Sequence, residues 1–107
     1  MAQPIQIYLG APQTTKLPVY DGKGQQVTIK QLIFANTTEL DTKITVTVNT
    51  IDIMKGFVVK AGETRVIDAT IVLNPNDRLS LQQEKENAIN VMINGVAEAS
   101  TTISYQQ

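Results

Sequence analysis

The side chains able to do acid–base or nucleophilic chemistry in this chain are ten carboxylates, nine lysine or arginine groups and three tyrosines; cysteine and histidine are absent. Thiol nucleophiles, disulfides, zinc fingers, Ser-His-Asp triads and His metal sites are thereby excluded. General acid–base catalysis needs titratable groups whose surroundings push their pKa values apart, and the spacing offers few candidates. Glu84 and Glu86 flank Lys85 in the most hydrophilic stretch, which reads as a solvated loop. Asn74, Asn76 and Asp77 could offer oxygens to a calcium ion. Pro75, however, interrupts the Asp-x-Asp-x-Asp-Gly pattern and no acidic residue follows at a suitable spacing, so a turn is expected and no metal site. Asp52 and Asp68 sit among apolar residues at positions where solvent exposure explains them. Gly22 and Gly24 precede a strand pattern, whereas a phosphate-cradling loop opens a helix. Ser80, Ser100 and Ser104 lack a Gly-x-Ser-x-Gly context. The expectation is a non-enzymatic chain with no cofactor, whose function lies in its surfaces.

Composition narrows the partners. A formal net charge of −1 argues against the basic face that nucleic acid requires. No apolar run reaches the ~18 residues of a membrane span. The opening residues MAQPIQIYLGAPQ carry neither a basic start nor a long apolar stretch, so no signal peptide is expected. Hydrophobic content of 42% with 18% charged residues fits a soluble globular domain, expected to be a single unit over residues 1–107. Asn36-Thr37-Thr38 matches a glycosylation acceptor but, without a secretory route, reads as a plain turn.

The elements that would present these surfaces are strands. The chain holds 12 Ile, 10 Val and 13 Thr, close to a third β-branched, and period-2 alternation broken by turn residues runs throughout. Ile5, Ile7 and Leu9 alternate with Gln6 and Tyr8. Lys16 to Tyr20 contains Pro18 and belongs at a sheet edge. Asp21-Gly22-Lys23-Gly24 is expected to close a hairpin. In Gln25 to Ala35, Val27 and Ile29 lie on one phase and Leu32 and Phe34 on the other; a bulge near Lys30-Gln31 would return all four to one core. Thr42 to Thr50 alternates cleanly, with Ile44, Val46 and Val48 inward. Ile51 to Lys55 is ambiguous, and Phe57 to Lys60 is a short strand. Ile67, Ala69, Ile71 and Leu73 are in phase, as are Leu79 and Leu81. Ile89, Val91 and Ile93 form a face ended by Asn94-Gly95, and Thr101 to Tyr105 is a last strand. Eight or nine strands with turns every 8–12 residues, and no amphipathic helix of ten residues, predict an antiparallel β-sandwich of jelly-roll type, a partly open barrel being the alternative.

Two sets of surface residues stand out. Tyr8 is on the outward phase of its strand and Tyr20 ends a strand at a turn, so both are candidate contacts for a carbohydrate. Val58, Val66, Val72 and Met92 alternate against the core positions of their strands. If those strands share a sheet, its outer face carries an apolar patch of the kind that marks protein–protein contact.

The order of these signatures also resembles a known family. It runs Leu32-Ile33-Phe34-Ala35-Asn36-Thr37-Thr38, Ile44-Thr45-Val46-Thr47-Val48, Val59-Lys60-Ala61-Gly62-Glu63-Thr64, Ile71-Val72-Leu73-Asn74-Pro75-Asn76-Asp77 and Ala88-Ile89-Asn90-Val91-Met92-Ile93-Asn94-Gly95-Val96. Over about residues 28–97 it resembles small virion-associated proteins of tailed bacteriophages, of the kind encoded in the late region of a Bacillus siphophage. These are similar in fold to the β-sandwich shoulder domain of lactococcal phage receptor-binding proteins. The resemblance implies a structural or accessory protein located in the virion, at the tail, baseplate or head surface. Its partners would be other phage structural proteins or copies of itself. It implies no catalytic residue.

Overall fold

Alternating β-branched and polar residues favour extended backbone whose two faces differ in polarity. In the computed structural model, which describes residues 2–21 and 24–98, they form eight strands. These are β1 (Ala2–Gly10), β2 (Leu17–Asp21), β3 (Val27–Asn36), β4 (Thr42–Val48), β5 (Ile51–Val59), β6 (Thr64–Leu73), β7 (Arg78–Gln83) and β8 (Ile89–Glu98). They make two four-stranded antiparallel sheets, in the orders β1-β8-β3-β6 and β2-β7-β4-β5. β1 pairs β8, β2 pairs β7, β3 pairs β6 and β4 pairs β5, as in one long hairpin with its tip between β4 and β5. Rolling that hairpin adds the β3–β8 and β4–β7 contacts, which is the winding of a jelly roll. The expected all-β sandwich is therefore observed, with no helix among the described residues.

The inner faces meet in one core. β3 contributes Val27, Ile29, Leu32 and Phe34, all buried, because the register of the strand slips between Ile29 and Gln31. That is the expected bulge, and it returns both phases of the strand to one side. Ile67, Ala69, Ile71 and Leu73 of β6 and Ile89, Val91 and Ile93 of β8 complete this sheet's inner face. The other sheet brings Leu79 and Leu81 of β7 and Ile44 and Val46 of β4 to the same core. Phe34 and Phe57 stack tilted, with centroids 5.8 Å apart, and the Arg65 guanidinium lies 5.2 Å from the Phe57 centroid. This group closes the side of the sandwich where β5 and β6 are the edge strands.

Several expectations are corrected. β2 and β3 are not the hairpin partners expected from Asp21 to Gly24, because they lie in different sheets. Gly22 and Lys23 lie outside the described residues, as does the expected strand from Thr101 to Tyr105. The ambiguous stretch from Ile51 belongs to one continuous strand reaching Val59. Its alternation is broken by two register shifts against β4 and by Gly56 in the left-handed region at φ 63°. β8 does not end at Asn94-Gly95 but runs on to Glu98. Leu9 does not point inward. A register shift between Gln6 and Tyr8 turns the strand, so Leu9 is exposed and Tyr8 packs on the core.

Two buried polar side chains fasten loops to this frame. Asn36, at the end of β3, donates from Nδ2 to the carbonyls of Leu40 and Val59 and accepts at Oδ1 from the Thr38 backbone N–H and hydroxyl. The acceptor-like triplet Asn36-Thr37-Thr38 is thus a turn whose asparagine amide is buried and fully engaged. Gln83, at the end of β7, ties the β1–β2 connection and β8 together, donating to the carbonyls of Pro12 and Ile89 and accepting from the Ile89 N–H.

Candidate functional site

The outer face of the β1-β8-β3-β6 sheet is built in rows that cross all four strands. Leu9 is opposite Met92, Met92 opposite Ile33, and Ile33 opposite Val66. One step along the sheet, Gln6, Asn94, Gln31 and Asp68 make a polar row, in which Asn94 Nδ2 donates to Gln31 Oε1 at 3.3 Å. Beyond it, Pro4, Val96, Thr28 and Val72 form a second, mostly apolar row. Cross-strand neighbours on one face lie about 5 Å apart, so each row is a continuous band. Leu9 is 61% exposed, Val66 54% and Val72 48%, while Met92 and Ile33 on the central strands are half-buried by their neighbours. Leu9, Met92, Ile33, Ala35, Asn90 and Val91 line a shallow depression of about 250 Å³ on this face.

Of the four valine and methionine positions expected to form one patch, Val66, Val72 and Met92 do share this face. Val58 does not: it lies on β5 in the other sheet, opposite Lys43. Leu9 and Ile33 complete the band. Leu9 was not legible as outward because the register shift in β1 reverses its phase, whereas the outward position of Ile33 follows from the expected bulge in β3.

The tyrosines separate. Tyr8 corrects the expectation of an outward side chain: it packs against the core, with its hydroxyl 2.8 Å from where a side chain at Gly10 would begin. Burial raises the Tyr8 hydroxyl above its ordinary pKa of 10.0. The folded state therefore holds that proton more tightly than the unfolded chain does. The associated stability is intact below pH ~10 and falls as the pH rises through the folded-state value. Tyr8→Phe should flatten this alkaline loss. Urea midpoints compared between neutral and alkaline pH check it, and an equal alkaline drop in both proteins would show that Tyr8 is not the group responsible.

Tyr20 is half-buried beside a register shift in edge strand β2. Together with Pro18, Val19, Asp21 and Arg78 it lines an open cleft of about 510 Å³. A larger depression of about 540 Å³ on the same sheet includes Lys43, Lys55, Thr45, Gln82 and Glu84. There Glu84 accepts from the Lys43 backbone N–H, and the Thr45 hydroxyl accepts from the Gly56 N–H.

Asn74 and Asp77, considered as calcium ligands, serve a turn. Asp77 accepts from the Asn74 N–H and from the Asn49 side chain, and Asn49 in turn accepts from the Arg78 N–H. Asp52 accepts from the Thr47 hydroxyl at 2.7 Å. Among the described residues, no three acidic, His or Cys side chains gather as metal ligands.

No family model and no curated protein matches this chain. Among solved structures, a chain from the structure of infectious bursal disease virus, Gx strain, is similar at a TM-score of 0.37 and 13% sequence identity, over 90% of this chain. The match takes in 27% of that viral chain, so this protein spans about a quarter of its length.

Proposed function

We propose that this protein is a non-enzymatic phage structural or accessory protein that acts by docking on other virion proteins. The observation that carries this is the apolar band Leu9–Met92–Ile33–Val66 across the outer face of one sheet. A jelly roll needs one buried face per sheet, and that requirement is already met by the core. An apolar row on the opposite face costs solubility unless something covers it. The architecture is shared by viral capsid and lectin domains, and since fold alone does not choose a function, the face has to.

The test has two arms. Quantitative mass spectrometry of purified particles should find the chain at a fixed copy number; its absence from clean particles would sink the proposal. Leu9→Asp and Met92→Asp should then reduce incorporation roughly tenfold or more, because a carboxylate would have to be buried at the contact. Thermal stability should change little for the exposed Leu9 position. Incorporation unchanged in both variants would remove this face from consideration.

A second reading is favoured by the cleft at Tyr20. An aromatic ring beside Asp21 and Arg78 combines an apolar surface with polar groups able to hydrogen-bond a sugar. In this reading the chain is a host-adhesion module. Titrating the isolated protein with host-surface glycans to about millimolar separates it from the first.

A further inference from the structure

A sheet edge with unpaired backbone groups invites another strand, and folded proteins usually blunt such edges with proline, bulges or irregular backbone. Three of the four edges here are blunted in that way. β1 carries Pro4 and a register shift, β2 carries Pro18 and a register shift, and β5 carries Gly56 at positive φ and two register shifts. β6 differs. It is ten residues long, contains neither proline nor glycine and has no residue at positive φ. Its register against β3 slips once, where Ala69 and Thr70 oppose the single residue Lys30, so the extra residue of that one irregularity lies in β6 itself. Even so, its side chains alternate between outward and inward without a break from Val66 to Leu73. β3 pairs one side of it, and among the described residues no strand pairs the other.

The sequence of this edge is close to a palindrome. Around Ala69 it reads Val66-Ile67-Asp68-Ala69-Thr70-Ile71-Val72. Two copies laid antiparallel about a two-fold axis at Ala69 would put Val66 opposite the other copy's Val72 and Ile67 opposite its Ile71. Asp68 would face Thr70, whose hydroxyl can donate to the carboxylate, and Ala69 would face itself. Every contact appears twice, as an isologous interface requires. Apolar partners meet apolar partners on both faces, and matched cross-strand pairs are what stabilise a ladder.

We infer that β6 is a homodimerisation edge. Two copies pair antiparallel through β6 around Ala69, joining two four-stranded sheets into one of eight strands. The apolar band Leu9–Met92–Ile33–Val66 of one copy then runs on into the Val72–Thr28–Val96–Pro4 row of the other. This deepens the assembly reading by naming a second copy as one partner. It rests on that reading only for its biological use, since the pairing can form in the isolated protein.

The test uses the register, because Val66 and Val72 are both exposed on the outer face and can be changed without entering the core. Analytical ultracentrifugation should show a dimer for the wild type. The double variant Val66→Lys with Val72→Lys sets like charges opposite each other twice and should weaken association roughly tenfold or more. The double variant Val66→Lys with Val72→Glu sets opposite charges together and should restore it.

A wild type that stays monomeric at about 1 mM overturns the proposal. So do two double variants that associate equally, since the contact would then lie elsewhere. If either double variant melts early, Ala69→Cys decides instead. The chain has no other cysteine, so a disulfide-linked dimer on a non-reducing gel supports the two-fold at position 69, and monomer alone overturns it. Met92→Asp, which probes the face and not the edge, should leave this dimer intact.

Discussion

Alanine in place of Gly95 is expected to lower the unfolding free energy by about 3 kcal/mol or more, at the top of the range for overpacking. Its Cβ would stand 2.2 Å from the Thr28 carbonyl oxygen and 2.9 Å from Ile7 Cδ1. The isoleucine methyl can turn aside. The carbonyl cannot, because Thr28 lies in β3, which is paired to β8 on one side and to β6 on the other. Relieving the clash means parting β8 from β3 at the centre of the sheet. Against a domain stability of about 5–15 kcal/mol, that is a large fraction. Gly62→Ala is the control. Gly62 is left-handed at φ 68°, and a Cβ there would have nothing within 4 Å of it, so its cost is the backbone penalty of about 1–2 kcal/mol. Urea unfolding of the three proteins checks this, and a midpoint shift at Gly95 no larger than at Gly62 would show that the strands part easily.

Gly95 also marks where sequence reading stops. Asn94-Gly95 carries the dipeptide signal of a tight turn, and nothing local distinguishes that from a strand glycine kept small by a neighbouring backbone. The difference lies in β3, more than sixty residues away in sequence. The bulge at Lys30-Gln31 was legible for the opposite reason: two apolar phases in one strand can reach one core only through a bulge. At Gln6-Ile7-Tyr8 the same kind of shift was hidden, because a tyrosine and a leucine can each fill an inward position. The alternation of β6 and β8 assigned Val66, Val72 and Met92 outward correctly. Their alignment with Leu9 and Ile33, and the separation of Val58, depend on strand order and register, which pattern within single strands does not contain. The jelly-roll pairing of first strand with last is likewise a property of the whole chain.

The apolar band and the β6 edge make different demands on the fold. A face can tolerate small rearrangements beneath it, whereas a register-matched edge requires β6 to be held rigidly by β3. Ile29, Leu32 and Phe34 provide that support from the inner side, each completely buried. At the far end of the sheet, Leu9 depends on the β1–β2 connection being fixed, since β1 is an edge strand paired only to β8. The buried side-chain contact that holds this connection comes from Gln83.

Gln83→Leu is accordingly expected to cost about 3 kcal/mol, despite preserving the size of the side chain, because it strands buried backbone groups. The glutamine is 2% exposed. Its amide holds the carbonyls of Pro12 and Ile89 and the N–H of Ile89, the last at 2.8 Å. Leucine would leave all three without that partner, and a buried backbone group left so costs about 1–3 kcal/mol. The Gln83 N–H would still donate to the Gln13 carbonyl, so the loop should loosen without detaching completely. The adjacent Gln82 provides the contrast. Its amide donates to the Thr14 carbonyl of the same connection, but at an exposed position, where water can replace it, so Gln82→Leu should cost less than about 1 kcal/mol. Denaturant midpoints give the ranking, and hydrogen exchange at the Ile89 amide reports the stranded donor directly. Equal costs at positions 82 and 83 would mean that the loop itself, rather than the buried amide network, carries the stability. Faster exchange at Ile89 with β1 still protected would confine the damage to the joint that positions Leu9.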